Sequence, residues 1–315
     1  AVAGALLSGE HKAVLLGNAA AQHPQASALL ALAQWIAANT GASCGYLGEA
    51  ANSVGAQLVG ALPGAGGLNA GQMLTQPMKA LLLLNLEPVL DSADAAAAKA
   101  ALAASGLVVA LTSFKDAMVD NADVLLPIAP FTETAGCFVN AEGRVQSFHG
   151  VVKPLGDARP GWKVLRVLGN LLGLPGFEQE SAEEVRAEAL GDLAAVATRL
   201  DNGTAAAPAV AAAAAGLERI ADVPIYSTDM LVRRATSLQL ASDANAPVAG
   251  ISSKVWRELG LQAGAKVLLG QGQGALLIAA REDASLADNA VRVAAGHAAT
   301  VALGPMFGAI TVEKA

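Results

Sequence analysis

The sequence predicts an α/β fold: a Rossmann-like, mostly parallel sheet with flanking helices, followed by a small β-rich domain. Three observations predict it. Apolar runs of strand length alternate with segments of helical period through residues 1–200, the pattern of βαβ units. Hydrophobic residues make up 54% of the chain but aromatics only 3%, so the excess is Ala, Leu and Val, which suits helices packed on parallel strands. Beyond about residue 220 the pattern changes to short strands between Gly-, Asp- and Asn-rich turns, as in a small barrel. The expected organisation is an α/β domain over 1–200, an alanine-rich linker over 201–216 and a β-rich domain over 217–315. The absence of a starting methionine or signal-peptide pattern reads as a piece of a longer protein, with the α/β domain completed upstream.

In chain order, Ala13–Leu16 is a strand ending at Gly17-Asn18. A helix follows from Pro24 to Asn39, with Leu29, Leu32, Ala33 and Ile36 at helical spacing and Thr40-Gly41 as its stop. Residues 47–74, rich in Gly, Asn and Ser, read as a long loop. Ala80–Leu84 is a buried strand, and Asp91 or Ser92 caps a helix from Ala93 to Ala104. Leu107–Leu111 and Val124–Leu126 are further strands, and Trp162–Leu172 returns to helix. A helix from Ala182 to Leu200 starts at the capping box of Ser181 and Glu184. In the last third, Ser252–Leu259 is a helix ended by Gly260. Lys266–Leu269, Ala275–Ala279 and Val291–Ala294 are strands, and Gly270–Gly274 forms a hairpin turn.

A formal charge of −7 and a pI near 5.1 argue against a nucleic-acid surface and against docking on an anionic membrane. Mean hydropathy is +0.46, yet no uncharged apolar run reaches the roughly 18 residues of a membrane span. Cys44 and Cys137 stand far apart, and His11, His23, His149 and His297 lack ligand spacing, so no metal motif is expected. Gly64–Gly67 lacks the Lys-Ser/Thr of a phosphate loop. Asn85, Glu87, Pro88 and Asp91 follow the Ala80–Leu84 strand, where α/β sheets bind ligands. Carboxylates at that edge repel a phosphate unless they are paired. Glu133 and Glu142 are read as hydrogen-bonding groups of a polar loop rather than as a catalytic pair. Lys153, Arg159, Lys163 and Arg166 form a basic cluster, either a solvated face or a dock for an acidic partner.

Residues 122–173 carry an ordered set of motifs. They are Ala122, Asp123, Leu126 and Pro127, then Glu133 and Gly136, then Asn140, Glu142, Gly143, Arg144 and Gln146, then Gly156, Ala158, Arg159, Pro160 and Trp162. The set resembles the molybdopterin oxidoreductase superfamily, with Cys137 where the family usually has threonine. Within it, PIAPFTETAG, NAEGRVQSFHGVVKPLG and the tail from LGLQAGAKVLLG resemble the large iron–sulfur subunits of respiratory complex I. The resemblance implies a double-psi-barrel-like end domain and a scaffold segment with no catalytic residue, no cofactor and no metal. Iron–sulfur clusters belong to an upstream part, because two isolated cysteines cannot hold one. It implies other peripheral-arm subunits as partners, no membrane insertion, and a place on the cytoplasmic side of the bacterial inner membrane. Glu133, Asn140, Arg144 and Gln146 would then hold the loop, with Arg159 and Trp162 anchoring the next helix, and Arg144→Ala would lower stability. The alternative is a true molybdopterin enzyme of the formate dehydrogenase or nitrate reductase type. Glu133, Gly136, Asn140, Gly143, Arg144 and Gln146 would then bind a pterin dinucleotide.

Overall fold

The computed structural model describes residues 1–48, 50–211 and 215–315. Glu49 of the expected 47–74 loop and alanines 212–214 of the expected linker lie outside the described residues. The chain forms two compact units, each built from separated stretches. The first holds residues 1–69 and 127–211, and the second holds 70–126 and 212–315.

In the first unit, Ala13–Leu16 pairs in parallel with Ser43–Tyr46, and the helix Ala26–Thr40 is the crossover between them. Gly41 ends that helix with φ +70°, a left-handed stop that suits glycine. The region expected as a loop holds a helix, Ser53–Leu58, and the second unit holds another at Ala70–Leu74. Both are too short for a hydrophobic period to show. The stretch expected as a polar loop is a hairpin, with Gly136–Val139 antiparallel to Val145–Phe148. Its Val139 packs with Leu190 and Val196 in a small core. The Ser181 hydroxyl caps the helix Ala182–Leu190 by accepting from the Glu184 N–H. The expected run to Leu200 breaks at Gly191 (φ +64°), and Leu193–Arg199 continues as a 3-10 helix. The start of the alanine-rich segment is tethered, since the Asn202 side chain donates to the Cys44 carbonyl at 3.0 Å.

The second unit contains a three-stranded sheet in the order Leu81–Leu84, Val108–Thr112, Val124–Pro127. The first two strands are parallel, and the helix Ala95–Ala104 connects them. Its cap is Asp94, whose carboxylate accepts from the Ala97 N–H, and not Asp91 or Ser92. A separate short helix, Pro88–Asp91, takes Asp91, and Ser92 ends it. Asp123 of the Ala-Asp-x-x-Leu-Pro motif accepts from the Val108 N–H at 2.7 Å, pinning one strand to the next. The remaining strands form a seven-stranded sheet running from Gly308–Ala309 at one edge to Thr311–Lys314 at the other. Only Ile310 separates those two edge strands in sequence, so the sheet curls until its edges nearly meet as a barrel. Ile251, Val267, Leu269, Val291, Val293 and Leu303 fill it. Gly272 (φ +58°) forms the tight turn between Lys266–Gln271 and Gly274–Glu282, as its glycine run predicts. Among the described residues no helix is long and apolar enough to cross a membrane.

Candidate functional site

The hairpin of the first unit and the turn before it carry all six residues named for a pterin dinucleotide, and the structure gives most of them local work. Glu133 ends a 3-10 turn, Phe131–Glu133, and its carboxylate accepts from the Leu155 N–H at 3.1 Å. Gly136 opens the first strand. A Cβ there would meet the Phe148 ring at 2.7 Å, so the glycine makes room for a cross-strand aromatic. The Asn140 side-chain oxygen accepts from the N–H groups of Glu142 and Arg144, at 3.0 and 2.9 Å. This Asx turn shapes the hairpin. Gly143 sits at φ +78°, with the Ala197 backbone 2.6 Å from where a Cβ would be. Gln146 is exposed on the second strand.

Arg144 corrects the expectation placed on it. Its side chain is 71% exposed and, among the described residues, reaches only Glu142, at 4.0 Å. The turn uses its backbone N–H and not its guanidinium. Arg144→Ala is therefore expected to shift stability by less than about 0.5 kcal/mol. Asn140→Ala, which leaves two turn amides without their acceptor, is expected to cost about 1 kcal/mol. Urea titration of the two variants checks the order; a larger loss from Arg144→Ala would contradict it.

Arg159 donates to the carbonyls of Gly156 and Ala158, at 3.2 and 2.7 Å, which fixes the loop before the helix Gly161–Leu171. Trp162 on that helix buries its indole N–H without an acceptor among the described residues. Lys163 lies 5.3 Å from the Trp162 ring centre, while Lys153 and Arg159 are exposed. His23 and His297 each accept a backbone N–H through Nδ1. Among the described residues no group of His, Cys, Asp and Glu is arranged to hold a metal ion.

The second cluster lies at the carboxyl end of Leu81–Leu84. Asn85 turns the chain there with φ +52°, a left-handed conformation that asparagine tolerates. Glu87 follows and is 7% exposed. Pro88 starts the next helix, and Asp91 reaches back to accept from the Glu87 N–H at 2.6 Å. The carboxylates are paired by two arginines that sequence reasoning missed. Arg233 donates to Glu87 and to Asp91, each at 2.8 Å. Arg234 contacts Glu87 at 2.7 Å and Asp116 at 3.0 Å, and stacks 4.8 Å from the Phe114 ring centre. Asp229 caps their helix, Met230–Arg234, so both cations occupy its last turn, where the helix dipole favours them. That tandem pair behind an aspartate cap was the available signal. Burial pushes the Glu87 carboxyl up, but hydrogen bonds and charge from Arg234 and Arg233 outweigh it and hold it below its ordinary value.

The cluster at Glu87 does not fit a pterin dinucleotide, and in the hairpin Arg144 alone of the six named residues is an exposed cation. The phosphates of the dinucleotide need free cations or backbone N–H groups. The Asn140 oxygen and the Glu133 carboxylate are acceptors, already used by backbone N–H groups. Arg233 and Arg234 are matched by three carboxylates, those of Glu87, Asp91 and Asp116.

Comparison with known proteins agrees with the motifs. The family model for molybdopterin oxidoreductase matches residues 2–171. The G subunit of NADH-quinone oxidoreductase from Mycobacterium tuberculosis is 31% identical over 231 residues, which is 69% of this chain and 27% of that protein. The chain thus spans about a quarter of that relative's length. A formate dehydrogenase-like protein of Staphylococcus aureus is 44% identical over 52 residues, 16% of this chain and 5% of that protein. Acetylene hydratase from Pelobacter acetylenicus shares the fold with a TM-score of 0.55 at 16% identity, over 78% of this chain and 46% of that one. Both the fold and the match across residues 2–171 lead to one conclusion: the chain belongs to the molybdopterin oxidoreductase family.

Proposed function

We propose that the chain is a non-catalytic scaffold portion of the large iron–sulfur subunit of an NADH-quinone oxidoreductase, the respiratory complex I. The observation that carries this reading is the closed ion-pair network at Glu87. At the strand end where α/β proteins bind ligands, the two cations are spent on carboxylates of the same chain. The hairpin motif residues likewise serve turns and strand packing. The likeness to the mycobacterial NADH-quinone oxidoreductase protein, which extends over 69% of the chain, supports the same reading. On it, other peripheral-arm subunits are the partners, electrons pass through iron–sulfur clusters elsewhere in the subunit, and the segment works on the cytoplasmic side of the membrane without entering it.

The match to a formate dehydrogenase-like protein favours a second reading, a pterin-binding oxidoreductase. Elemental analysis separates the two. The full-length parent, purified from its own source, is expected to contain iron and no molybdenum or tungsten. About one molybdenum or tungsten atom per chain would overturn the scaffold reading.

A further inference from the structure

A second feature of the first unit has no part in that reading. An open groove of about 300 Å³ runs between the hairpin, the helix Ser53–Leu58, Trp162 and the helix Ala182–Leu190. That size is at the small end of ligand clefts, which run roughly 300–1,000 Å³. Its walls are mainly apolar, with Val59, Val139, Phe148 and Leu190 among them.

The polar groups on the lining are unbalanced. The Trp162 ring lines the groove, while its indole N–H has almost no accessible surface and is closed to a ligand there. Arg186, half-buried, donates to the Ser147 hydroxyl, and no carboxylate among the described residues lies within ion-pair distance of it. The acceptors nearby are in use: the Asn52 oxygen takes the Val139 N–H, and the Ser147 oxygen takes Arg186. Glu183, an acid on the lining, is exposed and its charge is solvated. One cation without a carboxylate partner over an apolar floor fits an anionic acceptor with a greasy body.

We propose that this groove binds a small carboxylic acid with an aromatic or branched aliphatic body, its carboxylate held by Arg186 in a charge-assisted site and its body against the Trp162 ring. The site is independent of the cluster at Glu87, so it stands whether or not the scaffold reading does.

The test uses the whole chain and two probes of equal shape, phenylacetate and phenylacetamide. The chain has three tryptophans, so its NMR spectrum shows three indole N–H signals, and Trp162→Phe assigns the relevant one. Phenylacetate is expected to shift the Trp162 signal saturably and to bind about tenfold tighter than the amide. Arg186→Gln, a half-buried change outside the core, is expected to erase that preference and leave the fold intact. Equal binding of acid and amide, no shift at millimolar phenylacetate, or an undiminished preference in Arg186→Gln would each overturn the proposal.

Discussion

Replacing Glu87 by alanine is expected to destabilise the protein by about 3–5 kcal/mol, the loss typical when one partner of a buried charge network is removed. The network explains the size. The Glu87 side chain is 9% exposed and faces two guanidinium groups that are 11% and 23% exposed. Without it, among the described residues Arg233 keeps Asp91 and the Ser227 carbonyl, and Arg234 keeps the Met230 carbonyl and Asp116, which is itself mostly in solvent. Two partly desolvated cations then repel each other with one buried anion missing. Glu87→Gln keeps the shape and loses the charge, so it is expected to recover part of the loss and no more. The same network sets an acid limit. The folded-state carboxyl of Glu87 lies below its ordinary value near 4.5. Its contribution is therefore complete above about pH 4.5 and fades as pH falls through the lower, folded-state value. Denaturant titrations from pH 7 to pH 3 check both parts. The wild type should lose stability over the acid end of that range, and Glu87→Gln should lose less over the same span. Parallel pH profiles for the two proteins would refute the assignment.

That network also shows where sequence reading succeeds and where it stops. Apolar runs at Ala13–Leu16 and Leu81–Leu84 announce strands by their length and composition, although the second, expected to be buried, buries only Leu81 and Leu83 and leaves Leu82 and Leu84 50% and 44% exposed. Ser181 and Glu184 announce a helix start, since capping is local chemistry within one turn. The glycine run at 270–274 announces a hairpin for the same reason. Asp91 was legible as a polar residue at the right sheet edge, but its partner was not. Arg233 lies 142 residues further along the chain, and only the folded topology brings it to Asp91. The motif from Glu133 to Gln146 was legible as a special stretch, while its use was not. Polar residues that close an Asx turn look the same in sequence as polar residues that hold a ligand. Arg144 shows the difference, since its position matters through a backbone N–H that any residue but proline supplies. The helix Ser53–Leu58 was missed because six residues give too few turns for a hydrophobic period.

Arg219→Met is expected to cost about 3–5 kcal/mol, for a different physical reason: several buried acceptors lose their donor, at about 1–3 kcal/mol each. Arg219 is 2% exposed, in the barrel of the second unit. Its guanidinium donates to the Gln271 side-chain oxygen at 3.0 Å and to the carbonyls of Gly304 and Ala294 at 2.8 and 3.0 Å, with no carboxylate among these acceptors. Pro305 and Val293 carbonyls add longer contacts at 3.2 and 3.4 Å. The Val293 and Ala294 carbonyls follow the strand Ala290–Arg292 and those of Gly304 and Pro305 lie in a loop, so one planar cation serves carbonyls outside the ladder. Burial pushes the guanidinium down to about 10, partly offset by the charge of Asp94. It therefore stays charged at neutral pH. Methionine fills the volume but leaves several buried carbonyls without a donor, which is the costly half of a broken hydrogen bond. Lysine keeps the charge and cannot span the fan of acceptors, so Arg219→Lys is expected to recover less than half of the loss. Thermal and urea unfolding of the two variants decides the matter. If Arg219→Met were as stable as the wild type, the carbonyls would have to find other donors, and the guanidinium would not be what closes this end of the barrel.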